Sequence, residues 1–178
     1  MNRRRYLLVG CMLIMGLGGV WPCAASSAAG LHRFGGGIHY WYSLEDIVLE
    51  GVKEDGVAGL VSYQYMMGEL FTVEAALELL GEGYAGADAM VLAPQAYVLV
   101  GRAIYAGAGI GINYSDGEMA DAPFFALRTG LDLEILPSIY LDLNLNYRFE
   151  QWDFARIEDE VTLNTITAGG TIRIELGR

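Results

Sequence analysis

From Phe34 onward, apolar residues recur at every second position rather than at every third or fourth. A strand turns successive side chains to opposite faces, so a period of two predicts β-structure with two unlike faces. The pattern predicts eight strands, at about 34–42, 57–67, 70–79, 90–100, 103–114, 124–135, 139–149 and 164–176. The connections between them are 14, 2, 10, 2, 9, 3 and 14 residues long, so long and short alternate throughout. The short ones carry turn-forming residues, Gly68-Glu69, Gly101-Arg102 and Leu136-Pro137-Ser138. This rhythm predicts an all-β, eight-stranded, antiparallel up-and-down barrel with both chain ends on the short-turn side. Pro94 falls inside the fourth strand, where it removes a ladder hydrogen bond, and so marks a strand start or a bulge.

The two faces differ in content. One is uncharged along all eight strands, for example Val61, Leu127, Leu131, Leu141, Leu143, Ile172 and Ile174. Its aromatic residues gather at the strand ends. Tyr40, Tyr42, Tyr114, Phe125, Tyr147 and Phe149 lie toward the long loops; Phe34, Tyr63, Tyr65 and Phe71 lie toward the short turns. A barrel in a bilayer shows an apolar band between two such girdles, whereas a lipocalin-like carrier puts its apolar face inside. Ten residues at ~3.3 Å rise and ~40° tilt span roughly the 25 Å of an apolar band. A lipid-facing Lys or Arg at mid-depth costs about 2–4 kcal/mol, which accounts for the clean face. The expected fold is therefore a transmembrane barrel, and a soluble periplasmic ligand-binding barrel is the alternative from another class.

The opposite face carries Arg33, Glu74, Glu78, Arg128, Asp132, Glu134, Asp142, Arg148, Arg173 and Glu175, together with His39. Glycines are frequent there too, among them Gly107, Gly109, Gly111, Gly130 and Gly169. Mixed charges in a narrow bore have to be paired, and eight strands leave an interior that side chains can fill. A plugged lumen is therefore expected; a narrow porin-like channel for small solutes is the alternative. A turn centred on Pro137 sets Asp132 opposite Asp142, so an arginine bridge or a shared proton is needed, and Arg173 is the expected bridge. A proton- or cation-sensitive gate at that pair is the functional alternative to a structural ion cluster.

Residues 1–29 have another character. Arg3, Arg4 and Arg5 precede an apolar run from Tyr6 to Val20, and small residues follow. That order predicts a secretory signal peptide cut after Ala25 or Ala29, in preference to a twin-arginine or lipoprotein leader, and leaves 30–178 as one barrel domain. Both cysteines, Cys11 and Cys23, lie in the leader, so the remainder has no thiol for a disulfide, nucleophile or metal site. It holds eight basic against 22 acidic residues, which excludes a nucleic-acid partner that needs phosphate neutralisation. Fifteen of the acidic residues fall in the four long loops, including Glu45, Asp46, Glu50, Glu54 and Asp55 in the first and Glu158, Asp159 and Glu160 in the last. Their carboxylates suit weak Ca²⁺ or Mg²⁺ bridging to anionic lipopolysaccharide, although no loop has the spacing of a dedicated site. No catalytic, cofactor or metal constellation emerges, and the chain is not expected to be an enzyme.

The stretches LAPQAYVLVG, AGAGIGINY and FFALRTGLDLEILPSIYLDLNLNYRFE resemble the small outer-membrane β-barrel families, porin-like and OmpA/OmpX-type. The resemblance runs from about Gly35 to Leu176. It implies a place in the outer membrane of a Gram-negative-type envelope, contact with outer-membrane lipid, and insertion by the barrel-assembly machinery. Such chains usually end in an aromatic residue, and this one ends Leu176-Gly177-Arg178. Lipid A deacylases resemble this fold and use a His-x-Ser pair; here His39 and Ser43 are four apart, so His39 is expected to be a lumen or girdle residue.

Overall fold

The structure is a computed structural model and describes residues 30–44, 53–152 and 161–176. The predicted leader and its cleavage points lie outside the described residues, as do Glu45, Asp46, Glu50 and the acidic run 158–160.

Among the described residues the strands are β1 Leu31–Ser43, β2 Asp55–Met67, β3 Phe71–Leu80, β4 Val91–Gly101 and β5 Ile104–Gly111. The two-residue strands β6 Tyr114–Ser115 and β7 Glu118–Met119 come next, then β8 Phe124–Leu136, β9 Ile139–Trp152 and β10 Val161–Leu176. The eight long strands each pair antiparallel with two neighbours. β1 pairs with β10 from His32↔Leu176 to Ser43↔Thr165, and this seam closes the sheet into a barrel. Closure leaves none of the eight with an unpaired edge, so the ladders satisfy the backbone without water.

Two features of the connections were not foreseen. The fifth strand was expected to reach Tyr114 but ends at Gly111; Tyr114 opens the β6–β7 hairpin. Asp116 and Gly117 form its turn with φ of 50° and 83°, the left-handed pair that a two-residue hairpin loop requires. In the β3–β4 connection, a 3₁₀ turn spans Tyr84–Gly86.

Pro94 is the fourth of the eleven residues of β4, opposite Leu77 of β3. The β4–β5 ladder ends at Gln95↔Gly111 and resumes only at Leu92↔Tyr114, while the Pro94 carbonyl accepts from Ile112 N at 3.2 Å. A residue's N–H and C=O leave a strand on the same side, so the missing donor falls where the ladder is already broken.

The alternation of burial follows the pleat. Leu131 and Ile172 are exposed on the outside, whereas Glu74 and Arg128 are buried inside. This is the arrangement of a barrel with an apolar outer wall, not of a carrier with an apolar interior. Glycine makes room on the inner wall. A Cβ on Gly109 would lie 2.3 Å from the Tyr97 ring, and one on Gly169 would lie 2.1 Å from His39 Cδ2.

Candidate functional site

The features able to carry function are the outer wall and the bore. On the wall, Ile38, Val57, Ile104 and Phe125 are between 58% and 72% exposed, and Leu127, Leu133, Leu145 and Ile174 are also exposed. Toward the long connections, Tyr40, Tyr42, Tyr114, Phe125 and Phe149 are exposed and Tyr147 is partly so; Tyr147 meets Phe149 edge-on at 4.6 Å. Tyr114 keeps its outward position although it belongs to β6. At the turn end, Phe34, Tyr65 and Phe71 are exposed and Tyr63 is partly buried; His32 and Phe34 pack on the Tyr63 ring. Tyr40 also donates a 2.5 Å hydrogen bond to Asp55, which was expected in the first long loop and stands at the start of β2.

Inside, the charged side chains fall into three linked groups. At the turn end, Arg33 donates to Asp132 at 2.5 Å and to Glu175 at 3.0 Å, and its guanidinium lies 3.6 Å from the centre of the Tyr140 ring. At mid-depth, Glu74 accepts from Arg128 at 2.5 Å and from Gln64 at 2.6 Å, with Arg173 at 3.1 Å. Arg128 also donates to Asn146 and lies 3.9 Å over the Tyr97 ring. Asp142, 3.5 Å from Arg173, accepts from Tyr105 OH at 2.7 Å and from Asn144 at 2.6 Å. Nearer the long connections, Glu78 is bonded by Arg148 and accepts from Gln95 at 2.9 Å, while His39 Nδ1 lies 2.9 Å from its other oxygen. Each carboxylate meets a guanidinium, the condition under which buried charge is tolerable.

Two expectations about this network need refinement. Glu134 stands at its edge. It pairs with Tyr140, which is buried inside, so it keeps the inward phase, but at the turn-end mouth it is exposed and accepts from Ser138 N at 3.3 Å. Asp132 and Asp142 do stand opposite one another, but Arg173 does not bridge them. Arg33 takes Asp132 and Arg173 takes Asp142, so the two carboxylates are held by separate cations.

The loop-end interior is of another kind. Trp41, Ala58, Leu80, Tyr84, Ala87, Val91, Ala93 and Phe124 form a buried apolar cluster. Trp41 and Phe124 share the inward phase with His39 and Arg128, so their inward position was implicit in the alternation. Nothing in the sequence marks Tyr84, which comes from a loop. The Arg148 guanidinium lies 5.0 Å from the Phe124 ring, so the cluster rests directly on the ion network. At the opposite end, the space bordered by Arg33, Gln64, Tyr105, Asp132 and Asp142 is a cavity of about 20 Å³, room for about one water. His39 is fully buried against Glu78, consistent with a lumen position.

No family model matches the sequence, and no curated protein matches it. Solved structures do share the fold. Neisserial surface protein A is similar at a TM-score of 0.57 and 10% identity, over 83% of this chain and 97% of that one. The outer membrane protein OprG from Pseudomonas aeruginosa is similar at 0.50 and 13% identity, over 84% of this chain and 97% of that one. The outer membrane protein AlkL, determined in DMPC lipid bilayers, is similar at 0.50 and 11% identity, over 90% and 97%. At such identities the likeness is one of fold: a small closed barrel of eight antiparallel strands.

Proposed function

We propose that this chain is an integral outer-membrane barrel with a structural or surface-interaction role rather than a catalytic one. The short turns lie on the periplasmic side, and the long acidic connections lie outside, against lipopolysaccharide. The observation that carries this reading is the outer wall, with residues such as Ile104, 72% exposed, and Ile38, 64% exposed, on strands around the barrel. A monomeric soluble protein rarely exposes an apolar patch beyond a few hundred Å². Hydrocarbon relieves that exposure, and a closed barrel is one of the two backbone forms that can cross it. The filled bore supports a role played at the surface rather than by conduction. Contact with the barrel-assembly machinery during insertion, and weak divalent-cation bridging at the acidic loops, belong to the same reading.

The test combines cell fractionation with gel mobility. The chain should sediment with the outer membrane and migrate differently in SDS before and after boiling. Recovery from the soluble periplasmic fraction, with no heat-dependent shift, would overturn the proposal. In planar bilayers the protein should give no regular current steps; reproducible steps would favour the narrow channel instead.

A further inference from the structure

The loop end of the bore is filled partly by the wall and partly by a connection. Trp41, Leu80 and Phe124 are wall residues, whereas Tyr84 enters from the β3–β4 connection and is fully buried among them. Its ring meets the Trp41 indole edge-on, with centroids 4.8 Å apart and planes at 88°. The neighbouring wall positions Ala58 and Ala93 carry only methyl groups, so the space that a ring occupies is filled by Tyr84 itself. Gly81, at the start of the connection, has open space where a Cβ would stand, and further on the Gly83 carbonyl accepts from Lys53 N at 3.0 Å. The chamber is a dead end. Below it Phe124 lies over Arg148, and Arg148 is bonded to Glu78. Trp41 Nε1 is buried and without a hydrogen-bond partner among the described residues, so the indole keeps an unused donor.

We propose that this chamber is a binding site for a small single-ring aromatic molecule of phenol size, and that Tyr84 is its built-in occupant, displaced when such a guest enters. The edge-to-face contact with Trp41 is one that any aromatic ring can make, because it follows from the ring quadrupole. A guest carrying an oxygen acceptor can also engage the Trp41 N–H. The ionic floor makes the site one that retains its guest rather than passing it through the bore. The inference needs only the closed barrel and the inward loop, and it does not depend on which medium meets the outer wall.

The probe is 4-methylphenol, titrated into the protein in detergent micelles while the Trp41 indole N–H is followed by NMR. That signal is assigned by its loss in Trp41→Phe, and folding of every variant is checked by heat-dependent gel mobility. The wild-type signal should shift saturably. A plug in place more than nine-tenths of the time weakens the apparent affinity at least about tenfold, so Tyr84→Ala should bind at least tenfold more tightly. Tyr84→Phe, which keeps the ring, should bind less tightly than Tyr84→Ala; equal tightening by the two would also overturn the proposal. Tyr84→Val serves the same purpose as Tyr84→Ala if the latter does not fold. An unmoved Trp41 signal in the wild type, affinity unchanged by removal of the ring, or an equal response to cyclohexanol would each overturn the proposal.

Discussion

The middle and the loop end of the bore lie on the same strands, yet they are filled on different principles. At mid-depth Glu74, Arg128 and Arg173 are mutually bonded, and Asp142 is held by Arg173, Tyr105 and Asn144. There, an identity at one position is dictated by its partners on other strands, since a lone buried ion costs several kcal/mol. At the loop end the filling is rings and methyl groups. Its requirement is volume, and part of that volume is supplied by a connection that is not part of the wall. The difference teaches that one barrel can combine a centre specified by charge partners with a mouth filled by shape.

The largest effect that would sharpen this contrast is at Glu74. Glu74→Ala leaves Arg128 and Arg173 without their shared carboxylate and should cost about 3–5 kcal/mol, read from urea unfolding of the protein in lipid vesicles. The double variant Glu74→Leu with Arg128→Met should recover much of that loss. If Glu74→Ala is neutral, the centre is not specified by ion pairing. Next comes Gly169→Ala, whose new methyl would sit 2.1 Å from His39 Cδ2; overpacking of this kind costs about 1–3 kcal/mol by the same measurement. In the apolar mouth, Leu80→Met nearly conserves volume and should cost less than about 1.5 kcal/mol. A larger loss there would show that the mouth is as tightly specified as the centre. The smallest effect is expected at the rim, where Glu134→Gln removes an exposed charge and should stay within about 0.5 kcal/mol.

Most of the barrel could be read from the chain because a half-buried strand writes its geometry with a period of two. Predicted and observed strands agree within three residues at every end. The phase of each strand also separated Leu127 from Arg128 and Leu143 from Asp142. Three things were not readable. Glu134 keeps the inward phase opposite Tyr140 but is exposed at the mouth, and alternation gives a residue's face without the depth at which the bore opens. The division of Asp132 and Asp142 between Arg33 and Arg173 depends on depth across a closed ring, because Arg33 and Asp132 come from strands that are not neighbours in the sheet. Tyr84 lies in a connection with neither period, and only the fold of that loop brings it into the bore.

The seam between β1 and β10 bears on how the molecule comes into being. Every pair in it, from His32↔Leu176 to Ser43↔Thr165, joins the start of the barrel to its final stave. Until the sixteen residues of β10, Val161–Leu176, have been made, the growing polypeptide can form only an open ribbon with two bare margins. Such margins are templates for pairing with other chains. The moment of greatest aggregation hazard therefore falls just before the first stave receives its neighbour.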